Sequence, residues 1–133
     1  MMKKIVLATL LFIQIFAYEN ILATKSNIEK IDYPIVDIRL PSEWQATGVI
    51  PNVKKITFFL PNGRINQNFL EELKKYNITP NTKFAIICRT GHRSRVASKI
   101  LEDNGYTKVV NLKGGMFELF KSLLKGVKYG KRK

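Results

Sequence analysis

Four short apolar runs, separated by stretches of helical periodicity, leave this chain little choice of architecture. They are YPIVDI (33–38), KKITFF (54–59), KFAIIC (83–88) and KVVNL (108–112). Short apolar runs with β-branched residues fit buried strands. In INQNFLEELKKY (65–76), Ile65, Phe69, Leu70, Leu73 and Tyr76 share one helical face, and Glu71 precedes Lys75 by four residues, a supportive helix pair. From Ser94, the positions Val96, Ala97, Ile100 and Leu101 repeat that spacing, and Asn104-Gly105 supplies a stop. A last helix runs from about Gly115 through Met116, Phe120, Leu123 and Leu124. Strands alternating with helices predict an α/β fold, a small open, mainly parallel sheet with helices on both faces. At 133 residues there is room for one such domain and one site.

A parallel sheet binds ligands at the carboxyl ends of its strands, beside the helix N-termini. Cys88 ends the third run and Asp37 lies at the end of the first, so both belong to that rim. Cys88 is the chain's one cysteine, and it opens the loop CRTGHRS (88–94). Its plain alternative is a small hydrophobe packed at a strand end. The neighbours argue for chemistry. A cysteine is nucleophilic as its thiolate. Gly91 lets successive N–H groups curl inward as an anion nest, and the helix starting near Ser94 adds its free N–H groups and positive dipole end. Arg93 and Arg89 add full charge; between Glu72 and Glu102 there are seven Lys or Arg and no acid.

The whole chain carries 23 Lys plus Arg against 10 Asp plus Glu, a net +13 that favours anionic partners. No recognition motif for nucleic acid accompanies the charge, and no nucleic-acid partner is expected. MMKKIVLATLLFIQIFA (1–17) has the layout of a secretory signal peptide, with cleavage after Ala17 or as late as Ala23, which predicts a periplasmic or otherwise exported protein. The apolar run is shorter than the roughly 20 residues of a membrane span, so no stable span is expected. A polar linker is expected from Tyr18 to about Lys30, the folded domain over 28–127, and a solvated basic tail over 128–133.

Three ordered segments carry a family resemblance. CRTGHRS resembles the active-site loop of single-domain rhodaneses, VDIRLPSEWQATGVIP (36–51) resembles that family's D-x-R and E-[WF]…G-H-I-P stretch, and VVNLKGGM (109–116) its L-x-GG segment. The resemblance implies a rhodanese-like fold and a sulfurtransferase that moves a sulfane sulfur from thiosulfate or a similar small anionic donor to a thiol, a protein or cyanide. It needs no cofactor and no metal. By the same resemblance Cys88 is the nucleophile that becomes a persulfide. Arg89, Thr90, Gly91, His92, Arg93 and Ser94 form the substrate cradle, with Arg93 on the anionic donor, and Asp37 and Arg39 support the loop. Glu43 and Trp44 match a helix start whose role is packing, and His92 faces solvent. Val49, Asn52 and Leu119 depart from the family's usual His, Gly and aromatic residue.

Two other functions fit parts of the pattern. A cysteine phosphatase or arsenate reductase also places a cysteine at a helix start, but such loops resemble C-x5-R, whereas four residues separate Cys88 from Arg93 and six separate it from Arg95. The shorter loop suits one sulfur atom better than a tetrahedral oxyanion. A non-catalytic sulfur carrier or thiol-binding module needs the same thiolate as the enzyme, and turnover distinguishes the two.

Overall fold

The computed structural model describes residues 17–125. The signal peptide expected over 1–17, save Ala17, and the basic tail expected over 128–133 lie outside the described residues. The elements are β1 (Glu19–Leu22), α1 (Lys25–Glu29), β2 (Ile35–Asp37), α2 (Pro41–Thr47), β3 (Lys54–Lys55), α3 (Phe69–Lys75), β4 (Phe84–Ile87), α4 (His92–Asp103), β5 (Val109–Lys113) and α5 (Gly115–Lys125). The strands form one open sheet in the order β1-β5-β4-β2-β3, parallel throughout. This is the architecture the alternation of patterns predicts.

β4 lies at the centre, and all four of its residues are buried. A strand covered on both faces should read as a continuous apolar run, as FAII does. Alternate side chains feed two cores. Phe84, Ile86 and Cys88 pack with Val36, Ile38, Phe69, Leu73, Ala97 and Leu101, which places α3 and α4 on one face. Ala85 and Ile87 pack with Val110, Leu112, Met116 and Leu119, and the partly buried Ile28 joins them, so α1 and α5 cover the other.

Three stretches differ from the sequence reading. The segment from Tyr18 to Lys30, expected as a linker, contains an edge strand and a short helix: β1 pairs with β5 from Glu19 opposite Val110 to Leu22 opposite Lys113. Its polar sequence, ENIL, hides a strand because an edge strand buries little; only Ile21 of the four is partly covered. The helix expected from Ile65 begins at Phe69, since Asn66 folds back, donating N–H to the Phe58 carbonyl at 2.8 Å and Nδ2 to the Thr57 carbonyl at 2.9 Å. The second run pairs in the sheet through Lys54 and Lys55 alone, and its apolar end, Ile56 and Phe58, fills the core beyond the strand. Asn52, where a glycine is usual, has φ 65°, a left-handed turn that Asn tolerates better than most residues.

The end of β2 is held by a buried ion pair. The Asp37 carboxylate accepts from Arg39 Nε at 3.0 Å, Arg39 Nη2 at 2.8 Å and the Arg39 backbone N–H at 3.0 Å. Arg39 also donates from Nη1 to Thr47 Oγ1 and from Nη2 to the Gly48 carbonyl, both at 2.7 Å. Both charged residues are buried, so the pair is an internal tie between β2 and the end of α2, distinct from a surface ion pair. Removing one partner leaves the other charged and buried, so Asp37→Asn should lower stability by about 3–5 kcal/mol. Denaturant unfolding measures this as a lower midpoint with unchanged slope.

Candidate active site

Cys88 follows β4 directly, and its neighbours form a tight turn into α4. The Gly91 N–H donates to Cys88 Sγ at 3.1 Å, and the Ser94 N–H donates to the same sulfur at 3.4 Å. Both amides belong to the start of α4, where backbone N–H groups have no partner within the helix. Ser94 Oγ lies 3.4 Å from the sulfur and donates to the Gly91 carbonyl at 3.2 Å. As a thiol, Cys88 donates to Ser94 Oγ. As a thiolate it accepts a hydrogen bond from the Ser94 hydroxyl instead, after a rotation of Ser94 about χ1 or of its hydroxyl. A negative sulfur here therefore has two backbone donors and one hydroxyl within reach.

Gly91 is required by backbone and by space. Its φ is 97°, a left-handed conformation, and a Cβ would lie 2.8 Å from the Gly114 nitrogen. The Gly114-Gly115 pair, which the sequence reading tied to no task, locks the loop from behind. The Met116 N–H donates to the Cys88 carbonyl and the Phe117 N–H to the Arg89 carbonyl, each at 2.9 Å. A Cβ on Gly115 would collide with the Cys88 carbonyl oxygen and the Arg89 carbonyl group. The start of α5 thus holds the loop's carbonyls while the start of α4 holds its sulfur.

Arg93 is the second surprise. Its Nη1 and Nη2 donate to Glu43 Oε1 and Oε2 at 2.6 and 2.7 Å, a bidentate pair joining α4 to α2. Glu43 Oε1 also accepts from the Leu40 N–H at 3.3 Å. The hydrogen bonds from Arg93 hold the Glu43 carboxyl below the ordinary glutamate value, against a partial desolvation that pushes the other way. The same contact holds Arg93 protonated more firmly, against a partial desolvation, and the nearby Cys88 and Asp37 act in the same direction as Glu43. Sequence reasoning gave Glu43 a packing role; the side chain is instead the ionic partner of a loop arginine. Two of the five N–H groups of the guanidinium are used on Glu43, which leaves three for a ligand.

The remaining loop residues separate by exposure. Arg89, Thr90 and His92 are exposed, and Ser94 is buried. His92 Nδ1 lies 3.4 Å from Arg95 Nη2 and takes no part in the contacts to sulfur. Asp37 and Arg39 sit beneath the loop: the Ile38 N–H donates to the carbonyl of Ile87, the residue before Cys88, at 3.0 Å. An apolar cleft of about 590 Å³ opens between α2 and α5, lined by Leu40, Glu43, Ala46, Arg89, Phe117 and Phe120. Among the described residues, no group of three or more His, Cys, Asp or Glu gathers as a metal site. No helix there is long and apolar enough to cross a membrane.

Comparison with known proteins agrees with this geometry. The family described as the rhodanese-like domain matches residues 22–122. A protein of Allochromatium vinosum named sulfurtransferase is 34% identical over 85 residues, 64% of this chain and 69% of that one. The crystal structure of Rv0390 from M. tuberculosis is similar with a TM-score of 0.59 and 27% identity, covering 75% of this chain and 80% of that one. A rhodanese-like domain protein from Staphylococcus aureus is similar with a TM-score of 0.53, also at 27% identity, covering 75% and 89%.

The Glu43–Arg93 pair titrates from its acidic partner. With Glu43 lowered in the folded state, the pair contributes fully above the ordinary glutamate value of 4.5 and is lost as pH falls through the lower folded value. A carboxyl-carbon NMR titration should place the Glu43 midpoint below 4.5 in the intact protein, and Arg93→Ala should move it upward. An unmoved midpoint would show that the pair does not persist in solution.

Proposed function

The chain belongs to the rhodanese-like family, and from that premise we propose that it is a sulfurtransferase that carries a sulfane sulfur on Cys88 as a persulfide. The observation that carries the reading is the convergence of the Gly91 and Ser94 N–H groups on one sulfur, at 3.1 and 3.4 Å. With thiosulfate as donor, the Cys88 thiolate attacks the outer sulfur. The S–S bond of thiosulfate breaks, and sulfite leaves with the electron pair. In the second step an acceptor thiolate or cyanide attacks the outer sulfur of the persulfide, and the electron pair of the broken S–S bond returns to Cys88. Cys88 Sγ carries the negative charge at the start and end of each cycle, and fixed backbone dipoles stabilise it without reorganising.

Arg89 and Arg93 supply the positive charge that draws in an anionic donor, and Arg93 keeps N–H groups for it beyond those given to Glu43. Thr90 and His92 complete the exposed rim of the cradle, while Asp37 and Arg39 act through the backbone they hold. We further propose that the protein is exported and that its leader is cut after Ala17. Cutting after Ala23 would remove β1, whose four residues pair with β5.

Incubation with thiosulfate should add the mass of one sulfur to the protein and release sulfite, and Cys88→Ser should do neither. Arg93→Ala should raise the KM for thiosulfate by about one to two powers of ten, the worth of a charge-assisted contact. Gly91→Ala should cut kcat by about a hundredfold or more through loss of an aligned donor, with a thermal melt to confirm that the domain stays folded. Sulfur uptake without turnover on any acceptor would make the protein a carrier. Absence of uptake from every sulfane donor would refute the reading. N-terminal sequencing of protein from the envelope fraction should begin at Tyr18; a start at Thr24 would contradict the proposed cut.

A further inference from the structure

The outer face of α5 carries apolar side chains where a surface helix is ordinarily polar. Phe117, Phe120 and Leu124 follow one another at i, i+3 and i+7, the spacing of one helical stripe, and they are 58%, 37% and 59% exposed. The inner side of the helix is already used: Met116 and Leu119 pack on the sheet, and Ser122 Oγ accepts from the Lys25 N–H at 2.9 Å. At the loop end the stripe runs into the apolar cleft of about 590 Å³, which Phe117 and Phe120 line together with Leu40 and Ala46. The charges around it have one sign once internal pairs are set aside. Glu43, the acid of the cleft wall, is held by Arg93, and Glu118, the acid of the helix, lies 3.0 Å from Lys121 Nζ. Lys121 Nζ also lies over the Phe117 ring, 5.5 Å from its centre. After Lys121 the sequence has Lys125, Lys128, Lys131, Arg132 and Lys133, and no acid.

An exposed apolar stripe edged by lysines has the chemistry of a helix that lies in a membrane interface, its apolar side chains among the acyl chains and its ammonium groups at anionic headgroups. A protein partner fits less well. Protein interfaces favour arginine over lysine and close over a broad patch, whereas here three side chains form a line and every cation from residue 121 onward except Arg132 is lysine. We propose that α5 docks this protein on anionic phospholipid, with Phe117, Phe120 and Leu124 entering the interface while Lys121 and Lys125 meet headgroup phosphates. Three side chains bury little area, and basic residues alone are screened by salt; together the two contributions give reversible surface binding without a membrane span. The first turn of α5 holds the Cys88 and Arg89 carbonyls, so docking also brings the exposed Arg89 and the mouth of the cleft to the lipid surface.

Hydrogen–deuterium exchange of the full chain with lipid vesicles tests this, because it reads α5 separately from the apolar N-terminal sequence. On vesicles of phosphatidylcholine mixed with phosphatidylglycerol, the amides of α5 should exchange about tenfold or more slowly than in the free protein. Those of α3, on the opposite face of the sheet, should keep their rates. Vesicles of phosphatidylcholine alone should have no such effect, and high salt should remove it. Phe117→Ser/Leu124→Ser changes two exposed side chains and should abolish the slowing without moving the thermal midpoint. No slowing on the anionic vesicles, equal slowing on the neutral ones, or equal slowing in the double variant overturns the proposal. Slowing that appears without vesicles and grows with protein concentration assigns the stripe to a second copy of the chain, and overturns it too. Sulfur loading of Cys88 plays no part in the readout, so this proposal and the sulfurtransferase reading fail separately.

Discussion

Everything at the site depends on two helices that begin at one loop. The free N–H groups of α4 turn toward the sulfur of Cys88, and those of α5 turn toward the carbonyls of Cys88 and Arg89. A peptide that gives its amides to a ligand must place its carbonyls elsewhere, and buried carbonyls need donors. The first turn of α5 provides them. The contact is possible because Gly91 and Gly115 have no side chains: a Cβ on either meets backbone of the facing segment. The parallel sheet supplies the rest, since β4 and β5 are adjacent and both deliver their following helices to the same edge.

A second layer of constraint comes from β2, on the opposite side of β4. The buried Asp37–Arg39 pair fixes the strand end through Thr47 and Gly48, and from α2 Glu43 reaches the loop arginine. The charges fall in two tiers. The lower pair is buried and acts as scaffold, whereas the upper pair is half-buried and holds an arginine beside the sulfur without consuming all its donors. In a strongly basic protein this gives one loop cation, Arg93, a set place on Glu43 instead of leaving it to add to a diffuse positive surface.

The central sheet was legible in the sequence because FAII and VVNL are apolar enough to be buried on both faces, and the rim position of Cys88 followed from the parallel order. The loop was legible because its glycine and arginines lie within seven residues of the thiol. Three features were not. β1 is an edge strand whose polar residues carry no period. The Glu43–Arg93 pair spans fifty residues and exists because β2 neighbours β4, a strand order that crossover connections conceal. Gly114-Gly115 could be recognised as a motif, yet its task, to let α5 touch the loop backbone, depends on a neighbour far away in the chain.

The claim on which the account stands is that the α4 amides hold the sulfur that Cys88 transfers. A crystal structure of the full chain after exposure to thiosulfate measures this most directly. The account predicts one additional sulfur bonded to Cys88 Sγ, lying within the loop, with N–H groups of the loop in hydrogen-bonding reach and the α5 contacts to the Cys88 and Arg89 carbonyls preserved. An unmodified Cys88 in protein fully exposed to the donor, or an added sulfur turned away from the loop amides, would contradict it.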